Sequence, residues 1–236
     1  MQLLNKIDEM IFNPELKNNV IAITGGGGKT TTMIALGEFY KTKGYSVLLS
    51  TTTKVQSPRF FDFKVDYIFF EECDFFMHEP VKGESVVFVE QHIMNPKKSL
   101  APRDEILPLI SKKYDVTILE ADGARCLPLK KHRACDPVIP KNVTSVIAIA
   151  GMSSFNHSAA NFCMGEDDMS LVVDKNYLQL LIDSSEGLLK RIESYHKSII
   201  LFNQSDLINT KDIEILKNIK SSSPIILGSI KENKVY

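Results

Sequence analysis

The chain has 236 residues, of which 44% are hydrophobic and 24% charged, and these fractions are typical of an ordinary soluble domain. Its formal net charge of −1 argues against nucleic acid as the main partner, because nucleic-acid-binding proteins usually carry a basic excess. No apolar run approaches the roughly 20 residues of a membrane span, and Asp8 and Glu9 interrupt the stretch where a signal peptide needs an apolar core.

The cysteines indicate the cellular setting. They are Cys73, Cys126, Cys135 and Cys163, and no two of them form a C-x-x-C pair. This pattern argues against a disulfide framework or a zinc ribbon. We therefore expect a reducing, cytoplasmic location for a single domain spanning residues 1–236, with neither a membrane nor nucleic acid among its partners.

Short apolar runs rich in Val and Ile recur along the chain and predict seven strands. They cover residues 20–24, 45–50, 86–89, 116–120, 143–149, 198–202 and 224–227. Several are continuous rather than alternating, which is typical of strands that are covered on both faces. Helical patterns cover residues 30–43, 175–190 with a break around 183–186, and 211–219. This alternation predicts an α/β fold with a mainly parallel sheet and helices on both faces.

Three proline-containing segments, residues 56–66, 91–103 and 126–141, lack a regular pattern. Long irregular loops in compact domains are often functional. We therefore expect these segments to be working loops rather than linkers.

The first predicted strand runs into a glycine-rich loop, V-I-A-I-T-G-G-G-G-K-T-T-T over residues 20–32. Successive glycines allow backbone N–H groups to turn toward an anion, and the helix that follows adds the positive end of its dipole. We expect Lys29 to reach the β- and γ-phosphates of a nucleoside triphosphate and Thr30 to bind Mg²⁺ through its hydroxyl. The predicted nucleotide-binding residues of this loop are Gly25, Gly26, Gly27, Gly28, Lys29, Thr30 and Thr31.

The loop departs from two phosphate-loop patterns. The pattern G-x-x-x-x-G-K-[ST] requires a glycine where this chain has Ile23, which indicates a shorter or differently bent loop. The related pattern K-G-G-x-G-K-[ST] has a lysine at the position of Thr24, and that lysine commonly reaches across a dimer. Its absence weakens the case for a partner-driven dimeric ATPase, although a homodimer remains open.

The second predicted strand is followed by three threonines, Thr51, Thr52 and Thr53, and by Lys54. At the carboxyl end of a parallel strand, these residues face the crevice in which α/β sheets bind ligands. The threonine hydroxyls, those of Thr52 and Thr53 above all, are suited to substrate oxygens or to the waters of Mg²⁺, and Lys54 is suited to a phosphate or carboxylate. A threonine-rich strand end with a solvated lysine explains the same residues equally well.

The strand predicted over residues 116–120 ends in the acidic segment E-A-D-G. Mg²⁺ prefers carboxylate oxygens, and Glu120 and Asp122 are two residues apart, which places them on one face of a continuing strand. We assign Glu120 to the magnesium shell and Asp122 to the reacting oxygen. The spacing alone permits the reverse, and two acids at a surface turn are the alternative without a function.

Basic residues follow the acidic segment. They are Arg125, Lys130, Lys131 and Arg133. We expect these four residues to form a basic rim for an anionic ligand, with Arg125 and Lys130 contacting it together with Lys54, although a solvated surface explains these charges nearly as well. Cys126, His132 and Cys135 match no standard zinc spacing, so whether they bind a metal stays open.

The set G-G-G-G-K-T-T, T-T-T-K, L-E-A-D-G-A-R-C-L-P-L-K and D-P-V-I-P resembles the YqeC family over residues 20–206. Proteins of this family are regarded as accessory factors of selenium-dependent molybdenum hydroxylases. The resemblance implies a P-loop NTPase-like three-layer sandwich and a role in maturing a selenium- or molybdenum-containing cofactor, with that cofactor or a maturation protein as partner. Cys135 and Asp136 stand where the family pattern has His-Glu, so this chain lacks an imidazole at that position.

The segment L-F-N-Q-S-D, residues 201–206, is similar to the N-K-x-D element with which GTPases read guanine, but Gln204 replaces the lysine. We expect Asn203 and Asp206 to bind the base, with Asp206 accepting from the ring N–H and the amino group of guanine. An Asx turn after a strand is the alternative.

Three functions fit these motifs: a nucleotide hydrolase or switch, a P-loop kinase or nucleotidyl transferase acting on a small anionic molecule, and a slow nucleotide-dependent binding module. We favour a hydrolase or switch that uses Mg²⁺ with ATP or GTP, because the sequence contains a phosphate site and a magnesium site but no unambiguous acceptor pocket. The predicted catalytic residues are Lys29, Lys54 and Asp122.

Overall fold

The computed structural model describes residues 2–60 and 62–236, and within them the chain forms fourteen strands and seven α-helices. The strands are β1 (Asn19–Gly25), β2 (Val47–Thr51), β3 (Val55–Gln56), β4 (Tyr67–Phe69), β5 (Ser85–Phe88), β6 (Glu90–Gln91), β7 (Lys98–Leu100), β8 (Val116–Glu120), β9 (Leu129–Lys130), β10 (Ser145–Gly151), β11 (Cys163–Met164), β12 (Lys197–Asn203), β13 (Ile225–Ser229) and β14 (Lys234–Val235). The helices are α1 (Leu3–Ile11), α2 (Lys29–Thr42), α3 (Glu72–Met77), α4 (Leu107–Ser111), α5 (Ala159–Phe162), α6 (Lys175–Asp183) and α7 (Thr210–Leu216).

Nine strands form one sheet in the order β14-β13-β12-β10-β1-β8-β2-β5-β4. Every neighbouring pair is parallel except β13 and β14, which form an antiparallel edge. The register places Glu120 of β8 level with Ile23 of β1 and with Thr51 of β2. The carboxyl ends of three strands therefore meet at one edge of the sheet, which is where open α/β sheets bind ligands.

Helices cover both faces of this sheet because its central strands are apolar on both sides. In β1, Ile21 and Ile23 pack with α1 and α2, whereas Val20 and Ala22 pack in the cluster that contains α3 and α4. Helices α6 and α7 bury a further cluster against β10 and β12. Fully burying one large apolar side chain contributes roughly 1.5–3 kcal/mol, so alternate residues of β1 hold both helical layers in place.

Two small sheets lie outside the main one. Strands β3, β7 and β6 form an antiparallel sheet, and β9 pairs in parallel with β11. The predicted loops 91–103 and 126–141 thus contain β7 and β9, which are too short to give a periodic signal. Phe61, in the predicted loop 56–66, lies outside the described residues.

The seven predicted strands are present, with ends that differ by at most two residues from the prediction. The helix predicted over residues 175–190 is shorter in the structure, because α6 ends at Asp183, where the predicted break begins, and the chain turns there. The prediction missed α1, although Leu3, Ile7 and Ile11 follow one another at helical spacing and are fully buried. None of the helices in the described ranges is long and apolar enough to cross a membrane.

Candidate functional site

A cleft of about 460 Å³ opens at the carboxyl ends of β1 and β8. The predicted site residues that line it are Gly27, Gly28, Lys29, Thr30, Thr31, Lys54, Glu120 and Arg125. Residues of β3 and β7 and the turn after Gly123 complete its walls. The fold therefore brings together segments from three parts of the sequence that each carried a predicted motif.

The first three glycines of the loop are held by the protein itself. The Gly25 N–H donates to Asp122 Oδ2 at 2.9 Å. The N–H groups of Gly26 and Gly27 donate to backbone carbonyls of β10 and of the turn before β9, at 2.9 and 3.2 Å. These donors fix the loop, and the predicted contacts of these three glycines with a nucleotide stay predictions.

The next four N–H groups, from Gly28 to Thr31, have no acceptor within the described part of the chain. Intrahelical bonding of α2 begins only with the N–H of Thr32, which donates to Gly28 O at 2.9 Å. Four donors and the positive end of a 14-residue helix therefore border the cleft. This is the arrangement with which a helix N-terminus binds phosphate.

Glycine is required where the loop lies against neighbouring segments. A Cβ on Gly27 would lie 2.3 Å from the Cα of Gly151, and φ of +84° is a further obstacle to other residues. Gly28 caps α2 at φ +115°, and a Cβ there would lie 2.7 Å from the side-chain amide of Asn203. The run of glycines thus allows close packing against β10 and β12.

The ammonium of Lys29 is folded back over the loop. Its Nζ donates to Gly25 O at 2.7 Å and lies 3.1 Å from Asp122 Oδ1 and 3.9 Å from Glu120 Oε1. Only 6% of the residue is exposed. Lys29 therefore lies beside the four N–H donors and close to both predicted carboxylates.

Thr30 and Glu120 meet at the base of the cleft. The Thr30 hydroxyl donates to Glu120 Oε2 at 2.8 Å. Burial raises the pKa of Glu120 above its usual range, although the Lys29 ammonium and the Thr30 hydroxyl act against this shift. A hydroxyl and a carboxylate are hard oxygen ligands, so this pair has the chemistry that Mg²⁺ requires.

Asp122 lies beneath the loop and does not line the cleft. Its side chain is fully buried, and burial by itself raises its pKa. The charge of Lys29, the His132 hydrogen bond and the charge of Lys130 outweigh burial, so the pKa of Asp122 falls well below its usual range. The carboxylate stays ionised and fixes its neighbours, and a contact between Asp122 and a reacting oxygen stays a prediction.

His132 connects Asp122 to a distant turn. Its Nε2 lies 2.7 Å from Asp122 Oδ2, and its Nδ1 lies 2.8 Å from the carbonyl oxygen of Gly187. Both ring nitrogens of His132 therefore face an oxygen that accepts hydrogen bonds. The sequence pattern suggested His132 only as a possible metal ligand, because the contact with Gly187, 55 residues away in sequence, leaves no local signal.

The cysteines near His132 do not converge on it. Cys126 and Cys135 are exposed, whereas the His132 ring is buried and both of its nitrogens contact protein oxygens. Within residues 2–60 and 62–236, no group of three or more His, Cys, Asp or Glu side chains is placed to hold a metal ion.

Lys130 is buried rather than on a basic rim. Its Nζ donates to Gly123 O at 2.7 Å and lies 3.0 Å from Asp136 Oδ2 and 3.6 Å from Asp122 Oδ2. The expected rim is therefore wrong for Lys130, because its ammonium is surrounded by protein oxygens. A direct contact between Lys130 and a substrate stays a prediction.

The threonines after β2 contact mainly the backbone. The Thr52 hydroxyl donates to Val138 O at 2.7 Å, whereas the buried Thr53 hydroxyl has no hydrogen-bond partner among the described residues. The Thr51 hydroxyl donates to Glu120 O at 2.8 Å and so helps to position β8. Lys54 lines the cleft and donates to His92 Nε2 at 2.7 Å.

The end of β12 lies against the glycine loop. The Asn203 amide donates to Gly27 O at 2.8 Å, and its oxygen accepts from the Ile230 N–H at 3.0 Å. Asp206 follows in the 3₁₀ turn Ser205–Leu207, is partly exposed, and makes no hydrogen bond with the described residues. The structure thus brings the predicted base-reading element next to the loop.

A sequence model of the YqeC protein family matches residues 21–165. The chain belongs to the YqeC family. This confirms the resemblance, and the matched range includes the glycine loop, Glu120, Asp122 and His132 but ends before Asn203.

Among known proteins, the chain is similar to "Uncharacterized protein YqeC" of Escherichia coli (strain K12). The two are 29% identical over 134 residues, which cover 56% of this chain and 51% of the relative. The matching segment thus spans about half the length of that relative.

Proposed function

We propose that the chain is a Mg²⁺-dependent nucleoside triphosphate-binding protein of the P-loop type. It acts as an ATP or GTP hydrolase, or as a switch whose state depends on the bound nucleotide. The observation that carries this proposal is the set of four N–H groups from Gly28 to Thr31 that border the cleft and have no acceptor among residues 2–60 and 62–236. Unsatisfied donors at a helix N-terminus, next to the Lys29 ammonium, are suited to the β- and γ-phosphates.

Mg²⁺ would be held by Thr30 and Glu120. Their hydrogen bond supports this role, because it brings two hard oxygen atoms together beside the four N–H groups. The ion would supply charge neutralisation of the phosphates. Lys29, for its part, would stabilise charge that develops on the transferred phosphoryl group, because its ammonium is already fixed near both carboxylates.

Asn203 and Asp206 would complete a base site. Asn203 is anchored to the loop at Gly27 O, which supports a place for the base beside the phosphates. The role that we propose for nucleotide turnover is assistance in maturing a selenium- or molybdenum-containing hydroxylase, which rests on the role inferred for the YqeC family.

A kinase or nucleotidyl transferase is the second candidate. It is favoured by one observation, the basic side chains Lys54, Lys98 and Arg125 that line the same cleft. Product analysis separates the two, because hydrolysis alone releases free phosphate whereas a transferase yields a modified acceptor.

The test of the nucleotide site is Lys29→Ala in calorimetric titrations with Mg²⁺ and ATP or GTP. We expect triphosphate affinity to fall by at least about tenfold, since a charge-assisted contact is worth roughly 1.5–3 kcal/mol. Lys41→Ala is the matched control, because Lys41 lies on the same helix about 18 Å further along. Unchanged affinity in a folded Lys29→Ala protein would contradict the proposal.

Lys29 also balances the buried charge of Asp122, so Lys29→Ala needs a check on folding. A thermal melt provides it. Thr30→Val is the second variant, since it removes only the hydroxyl and should weaken binding in the presence of Mg²⁺ more than in its absence.

A further inference from the structure

Three basic side chains in the cleft come from elements other than the glycine loop. Lys54 precedes β3, Lys98 belongs to β7, and Arg125 lies in the turn between β8 and β9. Gln56 of β3 pairs with Lys98 of β7, and Lys54 directly precedes β3, so the two lysines lie at neighbouring strands of one small sheet. The cleft thus combines the α2 N-terminus with a separate basic surface, which we call the basic wall.

Among the described residues, the cations of the basic wall form no close ion pair, and Lys98 interacts with the Glu120 carboxylate only at longer range. Within the described ranges, no carboxylate lies within 4 Å of Lys54, Lys98 or Arg125. The Lys54 ammonium donates to His92 Nε2, and a ring nitrogen that accepts this bond is neutral, so it orients the lysine without cancelling its charge. Lys98 and Arg125 make no side-chain hydrogen bond with the described residues.

Other cations near the cleft are already paired. Arg133 lies 3.1 Å from Asp136 Oδ2, and Lys29 is balanced by Asp122. The triphosphate that we propose would be served by Lys29, the four N–H donors and Mg²⁺. Three cations without a close carboxylate partner among the described residues therefore remain in the cleft of a chain whose net charge is −1, and such a local excess is what attracts a small anion.

We propose that the basic wall binds a second ligand, a small molecule that carries a carboxylate or phosphate group, beside the nucleotide; this inference rests on the proposed function of the cleft. Val55, Leu127 and Met164 also line the cleft and offer apolar surface to an uncharged part of such a ligand. The second ligand is then the molecule whose binding is coupled to nucleotide turnover.

Two probes test the basic wall: phenyl phosphate and benzoate, each with one anionic group on an uncharged ring. Each is titrated by NMR into protein saturated with Mg²⁺ and a non-hydrolysable ATP or GTP analogue. We expect saturable binding of at least one probe, and the preferred one distinguishes a phosphate from a carboxylate ligand. In the double variant Lys98→Gln, Arg125→Gln, binding should weaken by at least about tenfold, the effect of losing one charge-assisted contact.

Lys97→Gln is the matched control, because Lys97 is the exposed neighbour of Lys98 and does not line the cleft. It should bind the probe like the parent. Absence of saturable binding, equal binding by the double variant, or loss of nucleotide affinity in the double variant overturns the inference, since the last result would assign these cations to the nucleotide.

Failure of the nucleotide proposal is distinguishable from failure of this one. If the analogue does not bind, the probe is titrated into the free protein and into Lys29→Ala. Binding that survives Lys29→Ala but weakens in the double variant supports the basic wall without a nucleotide. Binding that is lost in Lys29→Ala places the anion on the glycine loop and overturns the inference.

Discussion

At the scale of single residues, the site is organised by one buried carboxylate. Asp122 accepts from the Gly25 N–H and contacts Lys29, Lys130 and His132. A buried charge is tolerated only when it is paired and hydrogen-bonded, and here the partners come from two segments, the glycine loop with Lys29 and the segment after β8 with Lys130 and His132. Asp122 therefore fixes the loop, the lysine and the turn after β8 relative to one another.

Asp122 should make stability depend on acid pH. Because its folded-state pKa lies below its unfolded value of about 3.9, its contribution is complete above about pH 4 and is lost as the pH falls further toward the folded pKa. We expect Asp122→Asn to cost about 3–5 kcal/mol at neutral pH, as for other broken buried pairs. Urea denaturation should show this cost shrinking below about pH 4.

The control for this experiment is Asp104→Asn, since Asp104 is exposed and makes no hydrogen bond with the described residues. It should follow the parent at every pH. If Asp122→Asn lowers the free energy of unfolding equally at neutral and acid pH, the ionised carboxylate of Asp122 does not hold its neighbours in place.

Glu120 should control the response to Mg²⁺. Its raised pKa means that the proton competes with the metal, so Mg²⁺-dependent nucleotide affinity should rise with pH as Glu120 ionises. Glu120→Gln should lower that affinity about tenfold or more and flatten its pH dependence, because the amide does not ionise. Calorimetry with and without Mg²⁺ measures both effects.

Glu38→Gln provides the comparison, because Glu38 is an exposed acid on α2 that does not line the cleft. If Glu120→Gln and Glu38→Gln bind Mg²⁺ and nucleotide equally well, Glu120 does not belong to the metal shell.

At the scale of elements, the glycine loop depends on contact with β10. Gly27→Ala and Gly44→Ala form a matched pair, since both glycines have φ of +84° but only Gly27 has neighbours within 4 Å of the added Cβ. Gly44→Ala should cost about 1–2 kcal/mol for its left-handed backbone. Gly27→Ala should cost clearly more, because its Cβ would lie 2.3 Å from Gly151 Cα.

Urea denaturation of both variants measures the difference, and nucleotide titration shows whether the loop has moved. Equal costs for the two substitutions would mean that the loop is not held against β10 and that backbone conformation alone explains its glycines.

At the scale of the whole molecule, the candidate site joins two halves of the sheet. Strands β8 and β2 on one side of β1 supply Glu120 and Lys54, whereas β10 and β12 on the other side supply Gly151 and Asn203. Residues 203–206 lie outside the segment that the family model matches. A base site at residues 203–206 would therefore need β12 in addition to the strands of the matched segment.

Asp206 should decide the choice of base. If the Asp206 carboxylate accepts from both donors of guanine, Asp206→Asn should weaken the binding of GTP, because an amide cannot accept both hydrogen bonds. The variant should bind xanthosine triphosphate in preference to GTP. Competition binding with GTP, xanthosine triphosphate and ATP measures this preference. Equal loss for all three nucleotides, or no loss, would remove the base-reading role from Asp206.

Much of the fold follows from local sequence. Continuous Val- and Ile-rich runs mark strands that are buried on both faces, and the glycine run before Lys29 marks a strand-to-helix loop. The order of motifs also indicated which residues would meet, because the carboxyl ends of parallel strands share one edge. The predictions for Thr30 and Glu120 rested on these two rules. In the structure, Thr30 Oγ1 lies 2.8 Å from Glu120 Oε2.

The sequence by itself determined the class of fold, the seven main strands and the YqeC resemblance, because these depend on periodicity and on short motifs. Only the tertiary structure decided that Lys130 is buried and that His132 holds Asp122 rather than standing beside the cysteines. It also decided which N–H groups of the loop remain without an acceptor. The physical reason is that burial and hydrogen-bond partners come from segments far apart in the chain, such as Gly187 for His132, and no local pattern records that contact.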